Sequence, residues 1–325
     1  MDNLSITTCS FYLRKQNTRN AKGICSLNKD IEYIDNDDNI VKTTVKSIFQ
    51  SFSTAHEVSE KDDVNQKTFS CRYLVGRDIS TDSFQCFSFE IQSGYYGSAS
   101  TIVDADTREE KYIMTPNDVA EKIFYMFVVI PKDNNKVKVN KGMLVFQNIG
   151  VYGIKTVTLK KLRSYFSERF GLTIRCLTVS PELFVKKILI KENLKKMIMI
   201  RNHKSNEATD DYYTGYGTES RIISNLCFNE TAWQKIMSGI NHFIKGKSNL
   251  FEFQSLEYNQ LKLEVLIGES TRTINLHNIE NLSIIESIPA SIRDLNGYAD
   301  ISRLCEYIIE VINDYLKEMV LEIKS

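Results

Sequence analysis

"FSCRYLVGRDISTDSFQCFSFEIQSG", residues 69–94, contains two runs of alternating apolar and polar side chains separated by Ser80, Thr81 and Asp82. Period-two alternation points successive side chains to opposite faces, so each run predicts a strand and the pair predicts an antiparallel meander. Further extended chain is expected at 99–104 and around 111–114, and residues 4–13 alternate as a first strand. In "IVKTTVKSIFQSF" (40–52) the period changes: Val41, Val45, Ile48, Phe49 and Phe52 share one side of a helix. The polar stretches "DIEYIDNDDN" (30–39) and "HEVSEKDDVNQK" (56–67) read as exposed loops. "TPNDVAEKI" (115–123), with an early proline and acids, has the signature of a helix start. It leads into the apolar "FYMFVVI" (124–130), read as a buried strand or the end of that helix.

The composition changes after Pro131, which sets an expected boundary between domains 1–131 and 132–325 at "KDNNKVKVNKG". "MLVFQNI" (143–149) predicts a strand. "TLKKLRSYFSERFG" (158–171) predicts a helix capped by Thr158 and stopped by Gly171, with Leu159, Leu162, Phe166 and Phe170 as its apolar stripe. Strand "LTIRCLTV" (172–179), helix "SPELFVKKIL" (180–189) and strand "MIMI" (197–200) extend this into a strand-helix-strand-helix-strand unit. A helix at about 230–245, strands "LKLEVLIG" and "RTINL", and a long terminal helix from about Ile301 follow. The expected class is α+β, with mixed strands and helices in two lobes.

No run approaches the eighteen or so uninterrupted apolar residues of a membrane helix, and 42% apolar with 25% charged residues is a globular composition. "MDNLSITTCSFYLRKQ" lacks the basic and apolar regions of a signal peptide, so a cytoplasmic protein is expected. Seven cysteines stand singly without a CxxC pair, and Cys86 and Cys176 sit within strand alternation, as core thiols do. The four histidines form neither HxxxH nor HExxH, so no metal site is predicted, and no cofactor fingerprint or catalytic motif is present. A metal-dependent nuclease would draw on Asp78, Asp82 and Glu90, or on Asp104 and Asp106 with Lys111. "FEIQ" has glutamine where a strand-borne E-x-K motif has lysine.

Charge is distributed unevenly. Residues 132–204 hold 17 Lys and Arg against 4 Asp and Glu, in a chain whose 41 basic and 41 acidic residues cancel. Such a belt predicts a surface for a polyanion, DNA more than RNA, because each neutralised phosphate releases condensed counterion. Its expected contacts are Lys155, Lys160, Lys161, Arg163, Arg169, Lys186, Lys187, Lys195, Lys196, Arg201 and Lys204. The loop "TDDYYTGYGTESR" (209–221) adds Tyr212, Tyr213, Tyr216 and Arg221, since glycine admits close backbone approach and tyrosine offers a stacking face. "SGYYGSAS" (93–100) repeats the pattern with Tyr95 and Tyr96 in a less basic setting. The terminal helix carries Leu304, Ile308, Val311, Ile312 and Tyr315 on one side and acids on another, a face for a protein partner, for self-association or for internal cover.

The order of strand, "KLRSYFSERFG" helix, "LTIRCLTV" strand, "FVKKIL" and "KKMIMIRN", then a polar loop and a late helix, resembles the DNA-binding proteins of phage conflict typified by the lambda Rex system's A protein and the Kiwa defence protein B. The resemblance covers the C-terminal half and rests on layout and lysine placement. It implies DNA binding within a phage-defence system and carries no individual residue across.

Overall fold

The apolar run at 124–130 is a strand, and it lies at the centre of the larger of two main sheets. The computed structural model describes residues 3–18, 23–35, 37–133, 138–150, 152–177, 179, 189, 194–204, 216–224, 229–244, 251–254, 256–267, 270–276, 284–319 and 321. The chain divides into two compact units. The larger comprises Met1–Cys176, Ser287–Leu316 and Val320–Ser325; the smaller comprises Leu177–Glu286 and Lys317–Met319. The architecture is α+β and rich in antiparallel strands.

The larger unit begins with β1 (Leu4–Lys15), the ribbon β2 (Ile31–Ile34) and β3 (Ile40–Thr43), and helix α1 (Val45–Ala55). Strands β4 (Glu60–Asp62), β5 (Lys67–Tyr73), β6 (Ile79–Ser80) and β7 (Phe84–Ser93) follow, then the ribbon β8 (Ser100–Val103) and β9 (Glu110–Met114). Next come β10 (Lys122–Pro131), β11 (Gly142–Ile149), β12 (Tyr152–Gly153), helix α2 (Lys155–Phe170) and β13 (Leu172–Leu177). The main path through the sheet is β13-β1-β11-β10-β7-β5-β4. The expected boundary at 131–132 therefore falls inside this sheet, where β10 and β11 pair from Met126↔Phe146 to Val129↔Met143.

Helices cover both faces of the sheet, which explains why β10 reads as an unbroken apolar run instead of an alternating one. On one face Phe49 of α1 packs against Phe11 of β1, Phe89 of β7 and Phe166 of α2, with ring centroids 5.8, 6.3 and 5.1 Å apart. On the other face Ile301, where a helix starts, borders a cavity together with Glu90 of β7 and Tyr125 of β10. The expected helix at 115–123 does not form. Asp118 accepts hydrogen bonds from Thr115 N (2.7 Å), Thr115 Oγ1 (3.0 Å) and Tyr112 Oη (2.9 Å), a local turn that competes with helix. Pairing of Lys122–Pro131 with Phe84–Ser93 then takes residues 122–123 into the strand. The helix expected from 40 starts at Val45 with Thr44 as N-cap, its Oγ1 accepting from Ser47 N, because Ile40–Thr43 pairs with Ile31–Ile34. Helix α2 starts three residues before the expected cap, so Thr158 lies buried inside it.

The smaller unit carries β14 (Leu194–Lys204), β15 (Tyr216–Ser224), helix α3 (Glu230–Ile244), the ribbon β16 (Phe251–Phe253) and β17 (Leu256–Tyr258), β18 (Gln260–Ile267) and β19 (Ser270–Asn275). Its sheet runs β15-β14-β18-β19 and buries Met197, Met199, Leu261, Leu263 and Val265. Since β13 and β14 belong to different sheets, the expected strand-helix-strand-helix-strand unit is not one layer. The helix expected at 180–189 lies outside the described residues but for Leu189. The last helix, α4 (Ile301–Glu318), buries Leu304, Ile308, Val311, Ile312 and Tyr315 within the protein, so the stripe considered for a partner is internal cover.

Phe49 is fully buried and touches three other aromatic rings. Phe49→Ala is expected to lower the stability of the larger unit by about 3–5 kcal/mol, read from the urea midpoint of its unfolding transition.

Candidate nucleic-acid interface

Helix α2 buries Leu159, Leu162, Phe166 and Phe170, as the periodicity requires, and leaves Arg163 and Arg169 exposed. Two of its lysines do not face open solvent alone. Lys160 Nζ donates to both carboxylate oxygens of Asp62 (2.9 and 3.2 Å), and Lys161 Nζ pairs with Glu60. These acids stand on β4, within the stretch expected to be a loop. Asp62 is buried, and hydrogen bonds from Asn65 and Lys160 hold its carboxyl down at about 2. Two of the five basic side chains on the helix are thus paired with acids from β4, and Arg163 and Arg169 stay exposed.

The rest of the belt is divided between the units. Lys155, Lys160, Lys161, Arg163 and Arg169 belong to the larger, and Lys195, Lys196, Arg201, Lys204 and Arg221 to the smaller. The larger unit contains 27 basic and 27 acidic residues and the smaller 14 of each, so each is neutral. Within the smaller unit Lys196 pairs with Glu264 at 2.5 Å, and Arg201 stands opposite Glu219 in the β14–β15 register. Arg221 donates to Gln254 Oε1 at 2.7 Å and lies over the Phe253 ring. Lys186, Lys187, Tyr212 and Tyr213 lie outside the described residues, as do the side chains of Lys204 and Tyr216.

The other Tyr-Gly cluster forms a defined site. Tyr95 follows the end of β7 and bridges to Lys67 of β5, while Tyr152 lies in β12, just before α2. Their rings are 5.9 Å apart and inclined at 56°, with 52% and 39% of the two residues exposed. Lys67 Nζ sits 4.5 Å from the Tyr95 centroid and Lys122 Nζ 4.4 Å from that of Tyr152. The rings and lysines border a cavity of about 170 Å³ with Gly94, Ala120, Phe124 and Gly153 in its lining. A Cβ on Gly94 would come within 2.6 Å of Ala120 O, so glycine is required for the close approach of the two segments. Tyr96 points elsewhere: its Oη donates to Asp63 at 2.6 Å, which pushes the phenol up to about 12.

Lys67, Lys122 and Tyr152 escape a linear reading because β7 pairs with both β5 and β10, bringing together residues 55 positions apart. The recurring Tyr-Gly dipeptide, at 96–97, 152–153 and 216–217, is the only signal in the chain that points toward Tyr152. Of the carboxylates considered for a nuclease, Asp78 and Glu90 are engaged by other residues, whereas Asp104 does meet the expected Lys111 and accepts from Asp106 N at 2.9 Å. Asp78 accepts from Lys46 and Tyr73 (both 2.6 Å), Glu90 pairs with Arg72 (3.0 Å), and Asp104 pairs with Lys111 (2.6 Å). Among the described residues no group of three or more His, Cys, Asp or Glu side chains could hold a metal ion. Also among them, no helix is long and apolar enough to cross a membrane. No protein-family model matches the chain, and neither a curated protein nor a solved structure is significantly similar to it.

Asp62 is ionised at lower pH in the fold than in the unfolded chain, so its contribution to stability is complete above about 4 and disappears as pH falls toward 2. Lys160→Met is expected to cost about 1 kcal/mol at pH 6, the scale of a partly exposed ion pair to a buried carboxylate. Urea unfolding at pH 6, 4 and 2 should show the variant and the parent converging at the lowest pH.

Proposed function

We propose that this is a nucleic-acid-binding protein that holds an unpaired stretch of strand, of DNA more than RNA, on the Tyr95–Tyr152 platform without reading sequence. The observation that carries this is the pairing of two exposed tyrosine rings with two ammonium groups at one mouth. A base can stack on either ring whatever its identity, and the adjoining lysine supplies the charge for its phosphate. Each exposed cation–π contact is worth about 0.5–1 kcal/mol, weak enough for a base to displace the lysine onto the backbone of the strand. The cavity is smaller than the roughly 300–1,000 Å³ of pockets that enclose small molecules, which favours an open platform over capture of a free nucleotide. The inclination of the rings offers two separate faces instead of one slot.

Local charge, not a long-range field, drives binding in this reading, because the larger unit is neutral overall. A belt engaging about five phosphates of a duplex would give a salt slope of about −4.5. Two lysines on a single strand give about −1.4. A place in phage defence, implied by the layout of the C-terminal half, is part of the proposal only as a setting for such binding.

Fluorescence anisotropy with a labelled single-stranded oligonucleotide tests it. Tyr95→Ala and Tyr152→Ala should each weaken binding by about 1–3 kcal/mol, roughly 5- to 150-fold. Lys67→Gln with Lys122→Gln should flatten the salt slope toward zero. Affinity and slope that survive all four substitutions, with folding intact, contradict the platform.

A further inference from the structure

The ribbon of β8 and β9 is an arm with both faces in solvent: every residue of β8, and of β9 as far as Ile113, is exposed. Two strands alone are marginally stable in water, and a third strand or a packed face is needed to secure them. The arm nonetheless carries large apolar side chains outward. Ile102 and Tyr112 are register partners, 44% and 52% exposed, and strand alternation puts Glu110 on the same side as Tyr112. The Tyr112 hydroxyl donates to Asp118 at 2.9 Å, so this face is fixed before anything docks on it. Between residues 100 and 114 the acids Asp104, Asp106, Glu109 and Glu110 face only Arg108 and Lys111. Asp104 takes Lys111 at 2.6 Å, which leaves the arm with an acidic excess.

A surface of the opposite character lies on the same unit. The cavity that Ile301 borders measures about 380 Å³, with Leu74, Val75 and Tyr125 in its wall and Arg72 and Arg77 beside them. Arg72 pairs with Glu90 at 3.0 Å. Arg77 is exposed, its Nη1 donates to Ser302 Oγ at 2.9 Å, and it has no acid partner among the described residues. Val75 is 85% exposed in the turn closed by Arg77 N and Leu74 O. The groove therefore offers an uncovered apolar wall beside an uncompensated guanidinium, and the arm offers an apolar pair beside an uncompensated carboxylate.

We propose that the protein forms a two-fold dimer by exchanging arms, the β8–β9 ribbon of each copy lying in the Arg72–Arg77 groove of the other. Ile102 and Tyr112 cover Leu74 and Val75, and the Glu110 carboxylate meets the Arg77 guanidinium, whose planar fork matches a carboxylate. A second copy is the occupant because this chain carries both complementary halves, acidic on the arm and basic on the groove, and leaves both exposed within one copy. The exchange makes the same contact twice about the axis, so two small patches act as one closed interface.

Sedimentation velocity of the full-length protein over a series of concentrations tests the exchange. The parent should sediment as a dimer. Arg77→Glu and Glu110→Arg, both at exposed positions, should each sediment as monomers, because like charges then face each other in both contacts of a homodimer. Mixed in equal amounts, the two variants should dimerise again, since a pair with one copy of each has one native and one reversed ion pair. Circular dichroism of each variant should match that of the parent. A parent that stays monomeric, a variant that stays dimeric, or a mixture that fails to re-form the dimer overturns the assignment.

Discussion

The packing of Phe49 against Phe11, Phe89 and Phe166 is the constraint on which the larger unit depends. It joins β1, β7, α1 and α2 through one buried ring, and close-packed interiors transmit such a fixed position with little slack. Because α2 is docked by Phe166, the residues just ahead of it are fixed too, with Tyr152 and Gly153 paired to the end of β11. The ladder from β10 through β7 to β5 places Lys122, Tyr95 and Lys67 beside them. The platform is therefore set by core packing and strand register, and every group in it is carried by a strand or lies one or two residues from a strand's end.

Electrostatics in this protein is local. A run of 73 residues rich in lysine looks like a polyanion surface when charge is summed along the chain. Folding brings acids from elsewhere onto it: Glu60 and Asp62 of β4 to α2, Glu264 of β18 to β14. Both units end with no net charge. Lys67 and Lys122, which stand outside that run, are placed over tyrosine faces at a cavity mouth. Position relative to an aromatic surface distinguishes these two lysines, where abundance along the sequence did not.

Much of the fold was legible from periodicity. The alternation in 69–94 marks β5 and β7, the stripe Leu159, Leu162, Phe166 and Phe170 marks α2, and Gly171 takes the left-handed conformation that ends it. Legibility failed where a side chain or a partner strand overrode the local signal. Asp118 turned the expected helix at 115–123 into a turn, and β2 drew Ile40–Thr43 away from α1. The boundary was misplaced because a change of composition at 131 coincides with a hairpin inside the sheet. Of the candidate site, Tyr95 was visible through its glycine neighbours, but its companions depend on pairings that no spacing encodes.

Photo-crosslinking locates the bound strand most directly. A single-stranded oligonucleotide carrying 5-iodouracil is irradiated in complex with the protein, and the modified peptides are mapped by mass spectrometry. The account predicts adducts on Tyr95 and Tyr152, lost when excess unlabelled strand competes. Adducts confined to the 186–221 region, or none at either tyrosine while the strand is bound, would contradict it.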